Sequence, residues 1–263
     1  MKENWTKGWS FIIIVGVLFL AVVPIAFLIF MSFSQGWIFP EVLPRSFGLR
    51  AWEYIFSSHS KTGEAILNSL YISIWVTLIN LILALPAGDA LGRYEFKGKR
   101  ILEFILLMPI VIPPIVVLMG MHKTYMILGL TESFSGVILS HIMPTLPYMI
   151  RSMTISFQHL GFLWEDQARM LGAGKLKAFI YVLLPFLLPG MITGATMTIL
   201  ISFSQYIITL LIGGGQILTL SVPMLPYING GDQAIGAAYS ILFATTAIFA
   251  LLILDRFLKQ YYK

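Results

Sequence analysis

Cysteine is absent from the 263-residue chain, which excludes disulfides and thiolate metal centres. Charge is scarce as well. Asp, Glu, Lys and Arg make up 11% of the residues, against about 25% in soluble globular domains. A soluble protein with so few charges could not cover its surface, and hydrophobic residues fill 58% of the chain instead. A bilayer as solvent removes that difficulty. No Gly-x-x-x-x-Gly-Lys-Ser/Thr phosphate loop occurs, so the chain does not carry an ATP site of the usual form. The four histidines, His59, His122, His141 and His159, have no metal-ligand spacing, and no metal is expected. No Ser/Gly linker, low-complexity tract or internal repeat divides the sequence, which therefore reads as one domain over 1–263.

Six long apolar stretches remain, at about 11–33, 65–91, 101–121, 134–157, 178–212 and 234–254. A helix needs about 20 residues to cross about 30 Å of hydrocarbon, and all six reach that length. Unpaired backbone is not tolerated in lipid, so helices are the economical reading, and alternating strands of barrel type are absent. The predicted fold class is all-α, a polytopic membrane protein with six transmembrane helices. The first stretch follows Lys2 and Lys7 but runs too far for the apolar part of a secretory signal, about 7–15 residues. It is predicted to stay in the membrane. The fifth is too long for one crossing, so its first part is expected at or outside the interface.

The net charge of +5 is topological and calls for no nucleic acid. With six crossings, one side carries Lys2, Lys7, Arg93, Lys97, Lys99, Arg100, Arg151, Arg169, Lys175, Lys177, Arg256, Lys259 and Lys263. The other side has only Arg45, Arg50, Lys61 and Lys123. Lys and Arg collect in cytoplasmic loops, so both termini are predicted to be cytoplasmic in a cell membrane. Of the outer loops, 35–64 and 213–233 are long. The second is nearly uncharged, and is expected to dip back toward the bundle where protein covers its backbone.

The fourth loop, on the cytoplasmic side, reads Glu165-Asp166-Gln167-Ala168-Arg169-Met170-Leu171-Gly172-Ala173-Gly174, with Leu184-Pro185 further on. Residues 162–171 predict a short amphipathic helix, with Gly172 and Gly174 allowing tight turns behind it. Lys175 to Phe179 then start a helix along the interface. A short helix projecting from a membrane domain makes a ball for a soluble partner's groove. These residues resemble the signature of the permeases of binding-protein-dependent ABC importers: an acid, two small residues, a glycine six positions after the acid, then Leu-Pro. Asp166 stands where Glu is commoner. Ala168 fills the second small position, Gln167 departs from the first, and Gly172 and Leu184-Pro185 fit. The resemblance is closest to the spermidine/putrescine-type permeases. Their basic loop is similar to Arg93-Tyr94-Glu95-Phe96-Lys97-Gly98-Lys99, and Ser140-His141, Leu146-Pro147 and 202–214 also look like theirs.

The resemblance implies a non-catalytic subunit that moves a small solute inward by alternating access. Its implied partners are two ATPase subunits, which bind the ATP and Mg, and a second permease chain, a heterodimer being favoured over a homodimer. An external binding protein delivers the solute. Segment 162–177 would couple to the ATPase through Glu165, Asp166, Gln167, Ala168, Arg169, Leu171, Gly172, Ala173 and Pro185. A self-sufficient secondary transporter would need inverted repeats, which are not seen. An intramembrane enzyme would need a catalytic constellation, and none is assembled.

Ionisable groups within membrane helices are functional candidates by default. Arg151 lies inside the fourth stretch, where it either attracts an anionic solute or, slightly favoured, snorkels to the headgroups or pairs with Asp89. His141 is either a solute ligand or hydrogen-bonded within the bundle. Ser202, Ser204, Gln205, Tyr206 and Thr209 form a polar cluster in the fifth stretch. Ser202, Gln205 and Thr209 share one helical face, as a cavity lining or as interhelical hydrogen-bond partners. Pro109, Pro113 and Pro114 break or kink the third stretch. Polyamine-type relatives are expected to carry acids near the fifth and third helices. Here Ser204-Gln205 and Pro113-Pro114 stand there, so a neutral or anionic solute is expected at least as readily as a polyamine.

The absence of cysteine makes the topology directly testable. Single cysteines replacing Lys97 or Lys175 should be labelled by a membrane-impermeant thiol reagent in inverted vesicles and not in intact cells; labelling in intact cells would reverse the orientation.

Overall fold

The computed structural model describes residues 2–37 and 44–259; Lys263, counted above among the cytoplasmic cations, lies outside them. Helices dominate. In chain order they are α1 (Lys2–Ser32), α2 (Arg50–Phe56), α3 (Thr62–Arg93), α4 (Lys99–Val111), α5 (Pro114–Ile127), α6 (Phe134–Leu160), α7 (Leu163–Met170), α8 (Lys175–Ala178), α9 (Leu184–Phe203), α10 (Tyr206–Gly213), α11 (Ser221–Ile228) and α12 (Gln233–Lys259). A hairpin of two short antiparallel strands, β1 (Ser34–Gln35) and β2 (Ser46–Phe47), pairs Ser34 with Phe47.

The chain forms two compact units. One comprises Met1–Thr62 with Pro223–Ala244, the other Gly63–Val222 with Thr245–Lys263. The first unit packs Ala51 and Ile55 of α2 against Ala234, Ile235, Ala238 and Tyr239 of α12. Tyr54 and Tyr227 share a hydroxyl hydrogen bond of 2.7 Å. Asp232 caps α12 by accepting from the backbone N–H of Ala234 and Ile235, the usual use of a carboxylate at a helix start. It also pairs with Arg50.

In the second unit α6 is the central element, and glycine explains how. A Gly88-x-x-x-Gly92 face of α3 lies on one side of it and a Gly190-x-x-x-Gly194 face of α9 on another. A Cβ at Gly92 would come within 2.7 Å of Thr154 O and Phe157 Cβ, and one at Gly88 within 2.9 Å of the Met153 carbonyl carbon. A Cβ at Gly190 would collide with Ser156 and Met153, and one at Gly194 with Met149. Small residues let membrane helices approach at backbone distance, where van der Waals packing and interhelical hydrogen bonds replace the missing hydrophobic drive. Ser152 supplies such a bond, donating from Oγ to Gly190 O at 2.7 Å. Met149, Met153, Phe157, Leu183 and Leu187 fill the core at this end. A second core, around Ile72, Val76, Leu118, Val137, Ile208 and Ile212, lies toward the other end.

Among the described residues four segments are long and apolar enough to cross a membrane: Ile14–Ser32, Thr62–Arg93, Lys175–Phe203 and Gln233–Arg256. The pair α4 and α5 counts as a fifth only if taken together, because it bends by 94°. The bend falls where Pro109, Pro113 and Pro114 are expected to break or kink the third stretch. Pro113 forces Ile112 into an extended conformation, Pro113 is itself extended, and Pro114 starts a new helix. The fourth stretch forms α6, whose 27 residues reach about 40 Å. It is more polar than the others because its neighbours are protein. Ser140, His141, Thr145 and Thr154 are all buried in it.

The helix leading into the fifth stretch starts at Lys175, continues through a widened π turn at Phe179–Leu183 into α9, and, unlike the continuous run expected over 178–212, stops at Ser204-Gln205 before α10. The π turn precedes Pro185, which has no N–H to offer the preceding turn. The loop after α10 does dip into the bundle: Leu220 N–H donates to Ser69 Oγ at 2.9 Å, and Asn68 Nδ2 donates to Leu218 O at 3.0 Å.

Because backbone atoms meet the added Cβ at Gly88 and Gly92, side-chain adjustment cannot relieve the clash. Gly88→Val or Gly92→Val should cost about 1–3 kcal/mol and lower the melting temperature in detergent. Gly16→Ala, with nothing within 4 Å of the new Cβ, should leave it unchanged.

Candidate functional site: a short helix and a buried polar clamp

The helix expected over 162–171 is present as α7, Leu163–Met170. Its C-terminal end is closed by a Schellman motif: Ala173 N–H donates to Ala168 O at 3.0 Å and Gly172 N–H to Arg169 O at 2.9 Å. That geometry requires a left-handed residue in the turn, and Gly172 has φ +83°. Gly174 does not share the role; it is extended and precedes α8. Beyond the helix, Met170 and Leu171 are 81% and 89% exposed, as are Asp166, Gln167, Arg169 and Gly172 in lesser degree. Pro185 is exposed at the start of α9. Ala168 is buried and Ala173 half-buried, so Ala168 is the packing surface of the helix.

Glu165 points the other way. Its carboxylate accepts from Arg93 Nη1 at 2.8 Å and also pairs with Arg169. Burial opposes ionisation of Glu165, but the hydrogen bond and charge of Arg93, then Arg169, outweigh it and hold the carboxyl below its ordinary range. The helix is further held by Trp164, stacked on Phe186 with ring centroids 5.4 Å apart. In the sequence Arg93 stands out as a topological charge and as the first residue of the basic loop, and neither points to Glu165. Its helix-terminal position beside an acid four residues earlier, Asp89, was the available signal. Asp89 pairs with Arg93, not with Arg151.

The polar residues of the fifth stretch separate into two groups. His141, Ser202 and Thr209 are fully buried and meet one another. Thr209 Oγ1 donates to Gln205 O at 2.6 Å, so it accepts from His141 Nε2 at 3.0 Å, and His141 Nδ1 accepts from Ser202 Oγ at 2.9 Å. One histidine thus bridges the end of α9 and the start of α10 across the break. Ser221 Oγ also donates to Gln205 O, at 3.3 Å, so the carbonyl freed by the break is satisfied. Thr145 extends the network, donating to His141 O and accepting from Asn80 Nδ2 at 2.8 Å. Ser204 is exposed and Gln205 half-exposed at the break. Because the helix stops there, Ser202, Gln205 and Thr209 do not form the continuous stripe expected of one helix. Arg151 is exposed and lines a small cleft with Glu103, Leu106 and Thr154. Among the described residues no group of three His, Asp or Glu side chains is placed to hold a metal ion.

Long apolar helices, a loop held inside the bundle and a short charged helix at one end define a polytopic membrane protein. Residues 81–261 match the family of inner membrane components of binding-protein-dependent transport systems, and the chain belongs to it. It is similar to the molybdate/tungstate transport system permease protein WtpB of Pyrococcus abyssi, 35% identical over 134 residues, covering 51% of this chain and 54% of that protein. The match therefore spans about half that relative's length. The spermidine/putrescine transport system permease protein PotB of Escherichia coli is 27% identical over 209 residues, covering 73% of this chain and 75% of that one. In overall fold the chain resembles a solved bacterial ABC transporter involved in import of the acidic polysaccharide alginate, with TM-score 0.68, 18% identity and coverage of 100% and 99% of the two chains.

If the histidine clamp is structural, its removal should not change solute affinity. His141→Leu strands Ser202 and loses the donor to Thr209, at about 1–3 kcal/mol for a stranded buried group. A lower melting temperature with an unchanged KM for uptake is expected; a raised KM at unchanged stability would place His141 on the solute.

Proposed function

We propose that this chain is the permease subunit of an ATP-driven importer, moving a small solute into the cytoplasm by alternating access. The carrying observation is α7: a short helix tied to the bundle by its inward face, with a tip at Met170–Leu171 that no described residue covers. Exposed apolar side chains beside Asp166, Gln167 and Arg169 suit a soluble partner's groove. Membership of a binding-protein-dependent family supports an external binding protein as donor. The absence of a phosphate loop in the sequence supports two ATPase subunits as the source of ATP and Mg chemistry. A second permease chain, a different one rather than a copy, would complete the pathway. The excess of Lys and Arg in the loops and tails assigned to one side supports cytoplasmic termini.

The solute is best read as anionic or neutral. Ser204, exposed, and Gln205, half-exposed, at the break in the fifth helix offer hydrogen bonds without charge, and Arg151 is in none of the ion pairs formed among the described residues. Placing a desolvated cation beside such an arginine is unfavourable. His141, Ser202 and Thr209 stand behind these residues and shape the break. Similarity to a molybdate/tungstate permease supports the anionic reading. Similarity to PotB, with Glu103 in the Arg151 cleft, keeps a polyamine as the second reading.

Two measurements separate the parts of this proposal. Gly172→Val forces a β-branched residue into a left-handed turn at about 1–2 kcal/mol, and Asp166→Lys reverses charge on the exposed face. Both should reduce co-purification of the ATPase while membrane insertion persists; full co-purification and uptake in both would remove α7 from the contact. Ligand screening of the cognate binding protein should find an anion or neutral solute, and tight spermidine or putrescine binding would select the second reading.

A further inference from the structure

Arg93 is the last residue of α3, and its side chain is only 5% exposed. Nε donates to Asp89 one turn earlier on its own helix. Nη1 donates to Glu165 Oε2 in α7 at 2.8 Å and to Gly161 O, just past the end of α6, at 3.3 Å. The guanidinium also lies 5.0 Å from the ring centroid of Phe157 in α6 and 4.8 Å from that of Phe162 before α7. A planar cation with a donor fork and two stackable faces uses all of this geometry, and a lysine would keep only the charge. Its position at the C-termini of α3 and α6 also opposes the partial negative charge of both helix ends.

Directly beneath it, Gly92 holds α3 against Phe157 and Thr154 at backbone distance, so the two helix ends cannot slide independently. The covalent link from α6 to α7 is far weaker. It runs through Gly161, at φ +59°, and Phe162. Without a further tie, a displacement of α7 would be absorbed at that glycine.

We propose that Arg93 is a positioning residue that makes α7 one mechanical body with the inner ends of α3 and α6, so that motion imposed on α7 reaches the bundle. This rests on reading α7 as the ATPase-coupling helix. It adds that the force enters through α3 and α6 as well as through α8 and α9, which follow α7 in the chain.

The test uses the complete complex, with its ATPase and binding protein, in proteoliposomes, and reads solute uptake per ATP hydrolysed. Arg93→Leu should leave the ATPase bound and hydrolysing while uptake per ATP falls roughly three- to thirty-fold, the range of coupling energies carried by such contacts. Arg93→Lys should recover part of the loss. Glu165→Gln, nearly isosteric, should act in the same direction, and the double variant Arg93→Leu/Glu165→Gln should be no worse than Arg93→Leu. If Arg93→Leu fails to assemble, Glu165→Gln alone decides. An unchanged uptake-to-ATP ratio in Glu165→Gln, or losses that multiply in the double variant, would overturn the proposal. Leu171→Asp separates the two layers: if it leaves ATPase binding intact, the coupling reading of α7 has failed rather than the role of Arg93.

Discussion

How closely other helices can approach α6 is the constraint on which the second unit depends. Lipid offers apolar helices no reason to leave it, because hydrocarbon tails are as apolar as leucine. Association must come from contact too close for lipid to match. Gly88, Gly92, Gly190 and Gly194 supply that contact, and Met149, Met153 and Phe157 fill the spaces they open. With protein on its flanks, α6 is free to be the most polar of the long helices. Its hydroxyls and histidine would be expensive against lipid; Ser140, Thr154 and Ser156 bond to carbonyls of α6 itself, while Thr145, Ser152 and His141 reach α3, α9 and α10.

Those satisfied groups set the shape of the bundle more than its stability. Interhelical hydrogen bonds in membranes average about 0.6 kcal/mol, whereas a stranded buried polar group costs about 1–3 kcal/mol. The His141 clamp is therefore best understood as a geometrical requirement. The helix stops at Ser204-Gln205, the Gln205 carbonyl needs donors, and Thr209 and Ser221 provide them. His141 holds Thr209 in turn. A break of this kind in a membrane helix persists only where protein covers the freed backbone, and it leaves Ser204 turned outward.

At the other end, side-chain attachments likewise govern α7. Eight residues would not hold a helix alone in water, since isolated helices shorter than about 12–15 residues are marginal. The short helix is kept by attachments outside itself: Arg93 on Glu165, Phe186 against Trp164, and the Schellman turn at Gly172. Its inward face is consumed by these contacts, which leaves Asp166, Gln167 and the Met170–Leu171 tip for another molecule. Neighbouring acids thus have opposite assignments. Glu165 binds the helix to the protein and Asp166 does not.

The sequence alone determined what composition and local chemistry control. Too little charge for a water-facing surface required a membrane, apolar runs of sufficient length placed the long helices, and Gly172 behind the amphipathic segment 162–171 placed α7. The family was legible in the spacing from Asp166 to Gly172 and Leu184-Pro185. Pro113-Pro114 announce the 94° bend between α4 and α5, whereas the stop at Ser204-Gln205, inside a continuous apolar run, carries no proline or glycine to announce it. The two Gly-x-x-x-Gly faces took their meaning only from the helix they pack on. Only the tertiary structure decided that both grip α6, that His141 spans the break, and that Arg93 belongs to Glu165. Each of these depends on residues tens of positions apart, brought together by packing distances that no local periodicity encodes.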